Sequence, residues 1–97
     1  MICSIRGEVL HNHAHHHRLK KGDLLLIDSG VETDTGYASD ITRTFPVSGA
    51  FDSRQKKVYE TVLKAQTTAV EMMKPGILYK DVHLAAARVI ADGMKDL

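Results

Sequence analysis

Residues Leu24 to Phe45, LLLIDSGVETDTGYASDITRTF, decide how this chain is read. Leu24-Leu25-Leu26-Ile27 is a short apolar run, and Thr33-Asp34-Thr35-Gly36 is dense in turn formers. Tyr37 to Phe45 is rich in β-branched and aromatic residues, so the stretch predicts two antiparallel strands joined by a tight turn. With the turn centred on Asp34, facing residues have numbers that sum to about 68, which sets Asp28 opposite Asp40. Directly opposed positions hold their Cβ atoms about 4.5–5.5 Å apart, where like charges repel. Two carboxylates so placed take a cation between them or share a proton. The competing reading is a solvent-facing hairpin whose acids splay apart, and a bulge at Gly30 or Gly36 would shift the register by one residue.

The remaining chain fits around this hairpin. Residues 2–10 predict a strand running into His11, and HNHAHHHR (His11 to Arg18) holds five of the six histidines. Such a run binds transition metals adventitiously whatever its native purpose. Lys20-Lys21-Gly22-Asp23 is a polar turn that launches the hairpin. Pro46 and Gly49 end its second strand, and Asp52 with Gln55 forms a capping box at the head of a helix over about Ser53 to Met73. The apolar stripe Val58, Val62, Ala65, Ala69, Met73 predicts the face of that helix turned to a core, with Met72 and Met73 as filler. Pro75-Gly76 breaks it, and a second helix over about Tyr79 to Met94 carries Val82, Ala86, Val89, Ile90 and Met94. The run Ala85-Ala86-Ala87 permits close packing on that helix or on the sheet. The fold class expected is α+β, an antiparallel hairpin followed by two helices.

Composition narrows the function classes. At 97 residues the chain is one domain at most, its charged fraction is 26%, and its net charge of +1 gives no electrostatic case for nucleic acid or an anionic membrane. One cysteine excludes an internal disulfide and favours a reducing, cytoplasmic setting; Cys3 lies in a short apolar opening with no partner motif beside it. No apolar run reaches the ~18 residues of a membrane span.

LLLIDSG followed by GYASDITRTFPVSG closely resembles the Xaa-Pro aminopeptidases and Xaa-Pro dipeptidases (prolidases), and Asp40-Ile-Thr-Arg-Thr-Phe-Pro46 is the most specific part. That resemblance implies residues 1–97 of a partial pita-bread catalytic domain: strand, histidine-rich loop, metal-ligand hairpin, two helices. It implies a peptidase with two divalent ions, manganese by preference and cobalt or zinc as substitutes, that hydrolyses Xaa-Pro bonds with a metal-bridging hydroxide. Under it Asp28 chelates one metal, Asp40 bridges both, and His11 steadies the substrate, a peptide with proline at the second position. The family draws three more ligands, one histidine and two glutamates, and a further substrate-binding histidine from later strands. No segment here matches those, so the chain is expected to be an inactive piece of a larger enzyme that self-associates through uncovered apolar faces. Arg43 falls on the opposite sheet face from Asp40, and Glu32 and Asp34 are solvated. Two alternatives stand beside the enzyme: a non-catalytic binding module on the same fold, and a histidine-rich metal-binding protein centred on His11 to His17.

Overall fold

The computed structural model describes residues 1–97, which divide into two compact units, Met1–Phe51 and Asp52–Leu97. The first is a three-stranded antiparallel sheet in the order β1-β2-β3, with β1 at Ile2–Ser4, β2 at Leu24–Ser29 and β3 at Ile41–Pro46. The second is a helical hairpin of α1, Ser53–Met72, and α2, Tyr79–Met94. The expected α+β class, a hairpin followed by two helices, is the class observed.

The register of the central hairpin differs from the one expected. Asp28 faces Thr42, not Asp40, and the pairs Leu24↔Pro46 through Ser29↔Ile41 all sum to 70. The cause lies in the turn. Gly36 N–H donates to Thr33 O at 2.9 Å and Thr33 N–H to Tyr37 O at 2.8 Å, which closes a three-residue loop centred on Thr35. Gly36 takes φ +83°, the left-handed conformation that such loops require at their last position. Moving the centre by one residue moves every facing partner by two, so no side chain changes face. The second strand also starts later than expected, at Ile41, although an isolated bridge between Glu32 and Ala38 keeps the same register nearer the turn.

Between these paired stretches the two strands press together at Gly30. A Cβ placed there would lie 1.8 Å from the Ser39 carbonyl oxygen and 2.9 Å from its carbon, so the position has no room for any side chain. Upstream, β1 covers only Ile2–Ser4 instead of residues 2–10. The Ser4 hydroxyl, buried in the sheet, accepts the Arg6 N–H at 2.9 Å, and Val9 N–H donates to Arg6 O, so the backbone leaves the ladder for a turn. Lys20 to Asp23 is the expected turn, with Gly22 at φ +96° and the Lys20 N–H capped by the Asp23 carboxylate at 2.8 Å.

In the second unit the capping box is formed: Asp52 Oδ1 accepts from Gln55 N at 2.8 Å, and Gln55 Oε1 accepts from Asp52 N at 3.1 Å. The helices pack on each other, but of the predicted stripe α1 turns only Ala65 and Ala69 inward. Val58, Val62 and Met73 are exposed, and the half-buried to buried face runs through Thr61, Ala65, Thr68, Ala69 and Met72. Gly93 accounts for the rotation. A Cβ on Gly93 would stand 2.3 Å from Thr61 Cγ2, so the bare glycine admits Thr61 and lets the axes approach. On α2, Val82, Ala86 and Val89 face inward as expected, joined by Ala85, while Ile90 and Met94 are exposed. Of the two helices' residues only Ala65 and Val82 are buried.

So thin an interior leaves a large surface. The chain exposes 7962 Å². A compact protein of its mass, 10.7 kDa, would expose roughly 5,500 Å², and two separate compact bodies of half that mass roughly 6,600 Å². Large apolar side chains contribute to it: Val58, Val62, Val70 and Met73 on α1, and Ile41 and Phe45 on β3, all stand in solvent.

Candidate metal-binding face of the hairpin

Alternation along β2 and β3 sorts side chains by number. Asp28 shares its face with Thr42, the residue opposite it. Asp40 lies one residue before β3, outside the paired stretch, so the two aspartates are not the directly opposed pair expected and their register does not compel a cation between them. Asp28 is half-buried and Asp40 exposed. Thr42 Oγ1 donates to Asp28 Oδ1 at 3.0 Å, which fixes one oxygen of the carboxylate and leaves the other to a ligand.

Thr42 went unremarked in the sequence, although the corrected register names it at once as the residue facing Asp28. Arg43 pairs with Ile27 and lies on the other face, as expected; its guanidinium donates to the Thr42 carbonyl at 2.8 Å. Glu32 and Asp34 are exposed at the turn, and His83 is exposed on α2.

His11 sits in the turn after β1, exposed, at φ +54°. A non-glycine residue in the left-handed region costs on the order of 1–2 kcal/mol, and here its neighbours hold it there. Asn12 Nδ2 donates to the buried Ser4 Oγ at 3.4 Å, and Asn12 Oδ1 accepts from Ala14 N at 3.0 Å. Just before it, the Arg6 guanidinium pairs with Glu8 and holds that carboxyl below its ordinary range. No hydrogen bond links His11 to either aspartate, and no three His, Cys, Asp or Glu side chains form a group able to hold a metal ion. Asp28 and Asp40 are thus two oxygen donors carried by one hairpin, of the kind that suits a hard divalent ion.

The sequence profile of metallopeptidase family M24 matches residues 1–97. Xaa-Pro aminopeptidase 1 of Streptomyces coelicolor is 47% identical over 74 residues, 76% of this chain and 15% of that protein. A structure of Escherichia coli aminopeptidase P in complex with substrate superposes with a TM-score of 0.90 at 36% identity, over 98% of this chain and 21% of that one. The zinc-substituted form of the same enzyme in complex with product gives 0.89 at 36% identity, over 98% and 21%. The 97 residues therefore span about a fifth or less of the proteins they match.

Proposed function

Because the chain belongs to metallopeptidase family M24, we propose that it is the metal-ligand hairpin segment of a proline-specific aminopeptidase, which releases the first residue from peptides with proline second. What supports this reading is a hairpin that carries Asp28 in its first strand and Asp40 at the head of its second, inside a segment so similar to Xaa-Pro aminopeptidases. Both would hold divalent ions, two of them and manganese by preference, with Asp40 shared between the two. Bound there, such ions supply Lewis acidity and a water acidified into the neutral range. This chain's own residues do the rest: Thr42 orients the Asp28 carboxylate, and the left-handed backbone at His11 turns an imidazole outward to hold a peptide. Dipeptidase (prolidase) activity is the neighbouring possibility within the same chemistry.

Two donors do not make a dinuclear centre, so the 97-residue chain alone is inactive and its missing ligands come from elsewhere in the full-length protein. The test compares hydrolysis of an Xaa-Pro peptide and its Xaa-Ala counterpart, with manganese, by a full-length protein carrying this segment and by the chain alone. Cleavage of the first peptide only, and only by the full-length protein, is expected. Equal cleavage of both peptides overturns the specificity, and turnover by the short chain overturns the claim that it lacks a complete centre.

The isolated chain also self-associates. The reading rests on the apolar side chains exposed on α1 and on the edge strand β3, which a second copy would cover. Sedimentation velocity at rising concentration is expected to show oligomers; a single monomeric boundary throughout would refute this.

A further inference from the structure

We propose that Asn12 and the buried Ser4 hydroxyl are positioning residues, which moor the loop carrying His11 on the side of the sheet that carries Asp28. The inference rests on the reading above, in which His11 holds the peptide. Ser4 pairs with Leu26 and Ile2 with Asp28, so both β1 side chains share a face with Asp28 and Thr42. The turn that follows β1 folds over this same face, since a Cβ on Gly7 would lie 3.6 Å from Leu26 Cδ1. Asn12 then ties the chain down beyond His11: its Nδ2 donates to Ser4 Oγ at 3.4 Å, across eight positions of sequence. That bond is long, and a second one steadies the same amide, whose Oδ1 accepts from Ala14 N at 3.0 Å.

Ser4 is suited to be the anchor. Its Oγ also accepts the Arg6 N–H at 2.9 Å, so its two lone pairs serve both the turn that ends β1 and the segment after His11. At 7% exposure it is shielded from water that would compete for those bonds. His11, between the two fixed points, is the one non-glycine residue with a left-handed backbone, φ +54°. Such a conformation persists only where the surroundings over-determine it. An imidazole held in this way meets its ordering cost before a peptide arrives, which is what a group that orients substrate requires.

The test uses a full-length protein carrying this segment, with manganese and an Xaa-Pro peptide, and reads kcat, KM and metal content together. Asn12→Ala is expected to lower kcat/KM by about tenfold or more, toward the ~100-fold that a misplacement of about an ångström can cost. Metal content should not change, and kcat and KM should move in the proportions that His11→Ala moves them. In the His11→Ala background the same substitution should do nothing further, because no imidazole is left to position. Asn12→Asp keeps the acceptor for Ala14 and loses the donor to Ser4, so it should fall between Asn12→Ala and the unaltered protein. Ser4→Thr, which retains the hydroxyl, should keep the activity that Ser4→Ala loses, and His13→Ala, exposed one residue further on, should change nothing. A loss from Asn12→Ala that persists undiminished without His11 would make the link merely structural and overturn the proposal, as would no loss at all. Should Ser4→Ala fail to fold, the two Asn12 variants, at a half-buried loop position, still decide. Full activity in His11→Ala would remove the role of His11, and no Xaa-Pro cleavage by the unaltered protein would remove the peptidase itself. Either result ends the proposal too, and each is visible without any change at Asn12 or Ser4.

Discussion

Asp28→Asn in a full-length protein carrying this segment is expected to reduce peptidase turnover and metal content together, by more than the ~10–100-fold that changes outside the ligand shell typically cost. Asp40→Asn should do at least as much, since the proposal gives it contact with both ions. An amide keeps the shape of the carboxylate but loses the charge that offsets a divalent cation, so the loss is electrostatic and not steric. Thr42→Val should fall between these and the unaltered protein, because it removes only the 3.0 Å hydrogen bond that aims the Asp28 carboxylate. Asp34→Asn and Glu32→Gln, exposed at the turn, should change nothing. Metal analysis alongside kcat and KM separates the readings. Variants of Asp28 and Asp40 that keep full metal content and activity would remove both residues from the centre.

Gly30→Ala is expected to destabilise the hairpin by about 2–3 kcal/mol, toward the upper end of what overpacking usually costs. The new methyl group would occupy the place of the Ser39 carbonyl oxygen, a backbone atom that cannot rotate away, so Ser39 and Asp40 must move as a unit. The damage thus reaches Asp40 itself, and metal affinity should fall with stability. Gly36→Ala provides the contrast. Its Cβ meets nothing within 4 Å, and its only cost is the left-handed backbone, φ +83°. That is worth roughly 1–2 kcal/mol. Denaturant unfolding of both variants in the full-length protein checks the order; a Gly30→Ala protein as stable as the parent would show that the strands have room to part.

The features legible in the sequence were those with local causes. The α1 start is written in Asp52 and Gln55, and its end in Pro75-Gly76 a few residues beyond, so the helix bounds agree within a residue. Leu24 to Ile27 between polar turns marks a strand in the same way. Hairpin register depended on how many residues the loop holds, and the signal was present: Gly36 is the residue a three-residue loop wants last. The buried face of α1 had no such signal. It was set by Gly93, which accepts Thr61 across the helix pair from 32 positions away in the chain. His11 lay where expected in sequence, but its left-handed backbone follows from a turn that ends β1 early.

The alternation along β2 also works as a partition. Asp28 and Thr42 project from even-numbered positions, while Cys3 lies against the odd-numbered side with Leu25 and Ile27, so one peptide layer separates carboxylate from thiol. An acid introduced at Leu25 or Ile27 would end that separation by setting a charge beside the sulfur, whereas one at Leu26 would stand on the side that already carries Asp28.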